Sequence, residues 1–265
     1  RKGCVLMNSA NFREEARKQL NGKWGKAAII SLAYAFIFIV IGIIEGLFPD
    51  DMESILSLVT TIIEVPLSLG LIISFVRLFN GEDVKAFDFL PQGFNNFVKS
   101  WAITFQIFIK MIVPIILTLV SYIIIVFASF KAASAAIYYS EPSSSSVILL
   151  VVGMILFVIS TVWSVTQSYY YQLAYIIVSE DPELSAKDAV QKSKDLMEGK
   201  RGKLFGLQFS FIGWSILAVF TLGIGYLWLI PYIQFATIAF YKFACGNANV
   251  KEVDDSVVED TENKE

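Results

Sequence analysis

Apolar residues in this chain come in long unbroken runs, neither alternating as in a half-buried strand nor confined to one helical face. A helix crossing hydrocarbon needs about 20 such residues. Runs with one charge or none predict spans at about 27–48, 55–76, 104–130, 147–178, 204–221 and 224–243. The first carries Glu45, the second Glu64 and the third Lys110. The last two come from one uncharged run, 204–241, too long for a single crossing. Its break is placed at Thr221-Leu222-Gly223-Ile224-Gly225, because paired glycines are poor helix interior and good turn. The fold class is therefore an all-α membrane protein with six transmembrane helices in one polytopic domain, 1–250.

The polar segments between the runs have helical periodicity. In the segment before the fifth span, Ser185 and Asp188 form a capping box. Ala186, Ala189, Val190, Ser193, Leu196 and Met197 line one face, and Gly199 ends the helix. Before the first span, Ser9 or Asn11 is expected to cap, Glu14 and Glu15 to fill the first turn, and Phe12, Ala16 and Leu20 to share a face ending at Gly22. The 84–98 link, with Phe87, Phe89, Leu90, Phe94 and Phe97, reads as a third and weaker element of this kind. Such helices are expected on the membrane surface, with the apolar face in lipid and Lys23, Lys26, Lys200, Arg201 and Lys203 at anionic headgroups.

The chain also resembles itself. GKWGK at 22–26 returns as GKRGK at 199–203, each ahead of a span. Pro66 matches Pro231, and from each proline equal steps reach a base (Arg77, Lys242) and a glycine (Gly81, Gly246). A duplication of hairpins is expected, spans one and two matching five and six in parallel orientation.

Composition agrees with the pattern: 55% hydrophobic, 17% charged and a mean hydropathy of +0.62. Of 21 Lys and Arg, 19 fall in segments on one side of the predicted spans, which puts both termini in the cytoplasm. No cleavable signal peptide is evident, Met7 reads as a candidate natural start, and 251–265 reads as an acidic disordered cytoplasmic tail. Histidine is absent, and Cys4 and Cys245 form no cluster. That leaves no zinc site, no Ser/His or Cys/His nucleophile and no metal or cofactor expected. Basic charge beside apolar spans gives no ground for a nucleic-acid partner.

From 168 to 245 the chain carries SKDLMEGKRGK, SFIGW, TLGIGYLW and PYIQFATIAFYKF. With NGKWGKA near the N-terminus, these resemble a bacterial family of integral membrane proteins, domain of unknown function 975. The resemblance implies a multi-span bacterial plasma-membrane protein with no established activity and no functional residues to transfer.

Candidate residues follow from polarity within the spans. Glu64 and Lys110, counted from the inner markers Arg77 and Lys99, come to similar depth and are expected to pair, as an ion or substrate site or as an interhelical bridge. Ser164, Gln167, Ser168, Tyr171, Gln172 and Tyr175 fall on one helical face, and Gln234, Thr237 and Tyr241 on another. Both sets are expected to line a polar cavity or to bond between helices. Gly42 and Gly46 form a GxxxG pair, and Trp163, Trp214 and Trp228 read as aromatic bulk. The functional expectation is non-enzymatic: a transporter-like or amphiphile-handling protein, or an accessory subunit bound to a membrane-protein partner or a second copy. The alternative is an intramembrane lipid enzyme with Glu64 as its base.

Overall fold

The long apolar runs become helices whose backbone groups are satisfied internally, the one way such a segment can sit in hydrocarbon. The structure, a computed structural model, describes residues 8–49, 52–137 and 144–262, the side chains of 136 and 247–262 excepted. In chain order its helices are α1 (Ser9–Leu20), α2 (Trp24–Glu45), α3 (Glu53–Phe79), α4 (Phe89–Asn95), α5 (Phe97–Ile137) and α6 (Ser144–Tyr171). They continue as α7 (Ala174–Glu180), α8 (Ala186–Met197), α9 (Arg201–Phe209), α10 (Ile212–Phe220) and α11 (Tyr226–Glu262). Among the described residues, six segments are long and apolar enough to cross a membrane: Trp24–Glu45, Glu53–Phe79, Phe97–Ala135, Ser144–Glu180, Arg201–Phe220 and Tyr226–Gly246. The 251–265 tail and Asp50-Asp51 of the acidic loop fall outside the residues whose side chains are described.

The turn between the last two spans falls where the glycines place it, at 221–225, with Leu222 at φ 54° and Gly223 at φ 86°. Two spans are interrupted in a way the hydropathy pattern does not reveal. α6 breaks from α7 at Gln172-Leu173, and α9 from α10 at Ser210-Phe211.

The polar helices fold against the spans, and this changes their expected role. Phe12, Ala16 and Leu20 of α1 are fully buried against α11, where Phe12 meets the rings of Phe240 and Phe243 at 5.3 and 5.4 Å. Ala189, Val190, Ser193, Leu196 and Met197 of α8 are buried against α5, α6 and α7. Their apolar faces thus belong to the protein core rather than dipping into lipid. Ser185 caps α8 by accepting from the Asp188 N–H at 3.2 Å, as expected. For α1 the cap is Asn8, whose side chain accepts from the N–H groups of Ala10 and Asn11. The helix therefore starts earlier than Ser9 or Asn11 would allow, and Glu14 and Glu15 lie in its middle, Glu14 bridging to Lys18 at 2.9 Å.

Close backbone contact occurs at glycines other than the GxxxG pair. Nothing lies within 4 Å of a Cβ built on Gly42, and Gly46 faces only its own helix. α4 instead lies directly on α3: a Cβ on Gly70 would strike the Phe89 carbonyl, and one on Gly93 would lie 2.5 Å from the Pro66 oxygen.

The helices form three hairpins, α2–α3, α5–α6/α7 and α9/α10–α11. Each is preceded by a short helix lying on the returning helix of the hairpin before it: α4 on α3, α8 on α6–α7, and α1 on α11. Each outgoing helix meets the same neighbour, α5 on α3, α9 on α6, α2 on α11. Because α1 reaches the last hairpin, the three close into a ring. The ends of the returning apolar spans converge on Glu180, whose Oε1 accepts from Asn80 Nδ2 at 3.4 Å and bridges to Lys242. We call this the basal end of the ring and the hairpin turns its distal end.

Candidate functional site

Ring closure builds a groove that no single hairpin contains. It has a volume of about 430 Å³, within the range of small-molecule sites. α1 contributes Arg17, the first residue of α2 contributes Trp24, α10 contributes Trp214 and Leu217, and α11 contributes Trp228 and Tyr232. The distal turn closes one end at Thr221 and Gly225, where Ala218 stands within 3.0 Å of the Gly225 Cβ position. Trp214 and Trp228 are half exposed, so the aromatic walls face outward, while Tyr232 is buried beneath them.

Tyr232 anchors the basal end. Its ring stands edge-on to Phe211 at 5.0 Å and to Trp24 at 5.9 Å. Its hydroxyl donates to the Arg13 carbonyl at 3.4 Å and accepts from Arg17 Nη1 at 3.1 Å. Arg17 thus spends one donor on a neutral phenol. The ion pairs among the described residues are Glu14–Lys18, Asp83–Lys26, Glu82–Arg77 and Glu180–Lys242, and none includes it. Glu14 feels the Arg17 charge, but its carboxylate is held by Lys18, which keeps it below its ordinary pKa. A cation outside these ion pairs therefore stands at one end of an apolar aromatic groove.

The residues singled out by sequence are distributed differently. Glu64 and Lys110 are both exposed and form no ion pair among the described residues. The cause is register. Trp101 Nε1 donates to the Ile62 carbonyl at 3.3 Å, so α5 starts well up the side of α3 rather than level with Arg77. Lys110 and Glu64 then diverge from that contact in opposite directions, by about 16 Å of helix rise in all. α4 is responsible, because it occupies the side of α3 from Pro66 to Gly70. Glu45 accepts a hydrogen bond from Thr60.

The α6 stripe divides. Ser168, Tyr171, Gln172 and Tyr175 line a groove of about 320 Å³ with Ile107 and Met111 of α5 and Gln208 of α9. Ser164 and Gln167 are half-buried and lie outside it. Tyr175 shares a 2.6 Å hydrogen bond with Thr104, and Tyr169 donates to Gln208 Oε1 at 2.8 Å. The α11 set does not join this groove: Thr237 bonds back to the Ile233 carbonyl, Tyr241 is buried, and Gln234 is half-buried. Of the expected headgroup cations, Lys23, Lys26 and Lys200 find polar partners inside the protein, while Lys203 and Arg201 lie on aromatic rings. Lys23 Nζ donates to the Leu78 carbonyl at 2.9 Å and Lys200 Nζ to the Ala244 carbonyl at 3.3 Å. Lys26 bonds Asp83 at 2.5 Å, Lys203 lies over Phe243, and Arg201 over Tyr170.

Sequence reading missed Arg17 as a site residue and treated Trp214 and Trp228 as bulk. The available signal was an arginine and a tryptophan flanking the Gly22 turn. What they face lies some 200 residues further along the chain.

No curated protein and no solved structure matches the chain. A family model described as protein of unknown function, DUF975, matches residues 7–247, and with that match covering most of its length the chain belongs to this family.

Proposed function

We propose that this protein is a non-enzymatic multi-span protein of a bacterial plasma membrane, with both termini cytoplasmic, that holds an anionic lipid in the groove between α1, α10 and α11. The observation that carries this reading is Arg17, a cation outside every ion pair among the described residues, at the basal end of a tryptophan-walled groove. In water such an arginine needs no partner. At a membrane boundary the phosphate of a lipid supplies one, and the acyl chain covers Trp214, Leu217 and Trp228. Amphiphile handling is thereby favoured over an accessory role. For the lipid-enzyme alternative, Glu64 stands exposed on the distal half of α3, away from this groove.

Duplication is part of the same proposal. The turns leading into α2 and α9 are supporting facts: Asn21 and Glu198 have φ/ψ of −59/127° and −60/126°, and Lys23 and Lys200 have −116/−2° and −111/−5°. Gly22 and Gly199 between them have φ of 74° and 70°. The lysine after each glycine then reaches a carbonyl near the end of its hairpin's returning apolar span, 12 residues beyond Pro66 in one case and 13 beyond Pro231 in the other. The α4 step, lacking that turn, is the divergent middle member.

Three of the five tryptophans line the groove, which gives the proposal an optical test. The protein is reconstituted in excess phosphatidylcholine with a small fraction of brominated phosphatidylglycerol, and in parallel with brominated phosphatidylcholine. Wild type is expected to be quenched more by the anionic lipid, and Arg17→Gln equally by both. Equal preference in the two proteins overturns the reading.

A further inference from the structure

A second groove, of about 480 Å³, opens between α6 and α9. Thr161, Thr166 and Tyr169 of α6 face Arg201, Gly202 and Phe205 of α9 across it. Its place in the ring is that of the first. Each groove lies where an outgoing helix leaves its glycine-lysine turn beside the preceding hairpin, and the first residue of that helix, Trp24 or Arg201, stands in the wall.

The chemistry also repeats, with the cation moved. In the first groove the arginine comes from the short helix before the turn. In the second it is Arg201 itself, its guanidinium 4.1 Å from the centre of the Tyr170 ring. An aromatic face attracts the cation without neutralising it, and leaves its N–H donors for phosphate oxygens. No ion pair among the described residues includes Arg201. Further along the wall, Thr161 Oγ1 is buried with no hydrogen-bond partner among the described residues. It lies eight residues from Tyr169, about 12 Å along α6. A diacyl lipid whose phosphate meets Arg201 places its glycerol and ester region beside Phe205, about one helical turn on, and its chains over Val162, with Thr161 at the depth of the chains.

We infer that the α6–α9 groove is a second anionic-lipid site, so that one protein molecule holds two lipids at corresponding corners of the ring. The inference rests on the reading of the first groove, since the shared position is what connects them. The Tyr169–Gln208 hydrogen bond stands between this site and the adjoining polar groove, with which it shares Val165 and Tyr169 as walls.

Native mass spectrometry of the full chain, released from detergent with phosphatidylglycerol or with phosphatidylcholine, tests it. Wild type is expected to retain two phosphatidylglycerol molecules and no comparable phosphatidylcholine. Arg201→Gln is expected to retain one, with about tenfold weaker second binding, and Arg17→Gln also one. The double variant retains none. Arg201→Lys, which keeps the charge, is expected to restore the second lipid and guards against misfolding as the cause of its loss. Two tightly held lipids in Arg201→Gln overturn the inference and leave the first groove standing. Two in Arg17→Gln with one in Arg201→Gln overturn the first reading instead. No anionic preference in wild type overturns both.

Discussion

At the scale of single residues, the tightest constraints lie where backbone meets backbone. Gly93→Ala pushes a methyl against the Pro66 carbonyl and Gly70→Ala one against Phe89. Neither neighbour is a flexible side chain, so each change is expected to cost about 1–3 kcal/mol. Gly42→Ala, in open space, is expected to stay within about 0.5 kcal/mol. Thermal unfolding in one detergent compares the three, and an equal loss at Gly42 contradicts the assignment. The GxxxG spacing was visible in the sequence and the real contact was not, because Gly70 and Gly93 sit on different helices and show no mutual spacing. Asp83 carries a pH prediction. Its hydrogen bond from Lys26 holds its pKa below the ordinary carboxylate value. A group lowered in the folded state contributes above its unfolded pKa and loses that contribution as pH falls through the folded one, here below about pH 4. Hydrogen-exchange protection in the 80–88 segment, taken relative to the intrinsic rate at each pH, should fall over that acid window in wild type and show no such step in Asp83→Asn.

At the scale of elements, the spans were legible because uninterrupted apolar length is a local property. So was the 221–225 turn, because two glycines mark it. The breaks at Gln172-Leu173 and Ser210-Phe211 were not, since polar and apolar residues alike continue through them. Phe12, Ala16 and Leu20 of α1 and Ala189, Val190, Ser193, Leu196 and Met197 of α8 are buried, but periodicity does not say whether such a face meets lipid or protein. The Gly22 and Gly199 turns allow a direct comparison. Both glycines have positive φ, so an alanine at either is expected to cost about 1–2 kcal/mol, by nearly equal amounts. Unequal losses weigh against a common origin for the two turns. The register of α5 on α3 makes another prediction: Glu64→Gln and Lys110→Met should change stability additively, within about 0.5 kcal/mol, because the groups do not touch. A double-mutant cycle with larger coupling contradicts that register.

For the whole molecule, the decisive feature is closure of the ring by α1. Phe12→Ala removes a fully buried ring from the seam between the first helix and the last hairpin, and is expected to cost about 3–5 kcal/mol. It should also weaken lipid retention at the Arg17 groove, whose basal wall is α1. That groove was illegible in the sequence for the same reason: residues 17–24 and 214–232 meet only when the ends of the chain come together. A structure of the protein in nanodiscs containing phosphatidylglycerol tests the account most directly. The account predicts elongated density between α10 and α11 with its head at the Arg17 guanidinium, absent from the Arg17→Gln protein in the same lipid. Trp214 and Trp228 closed against each other over an unliganded Arg17, or identical density in both proteins, would contradict it.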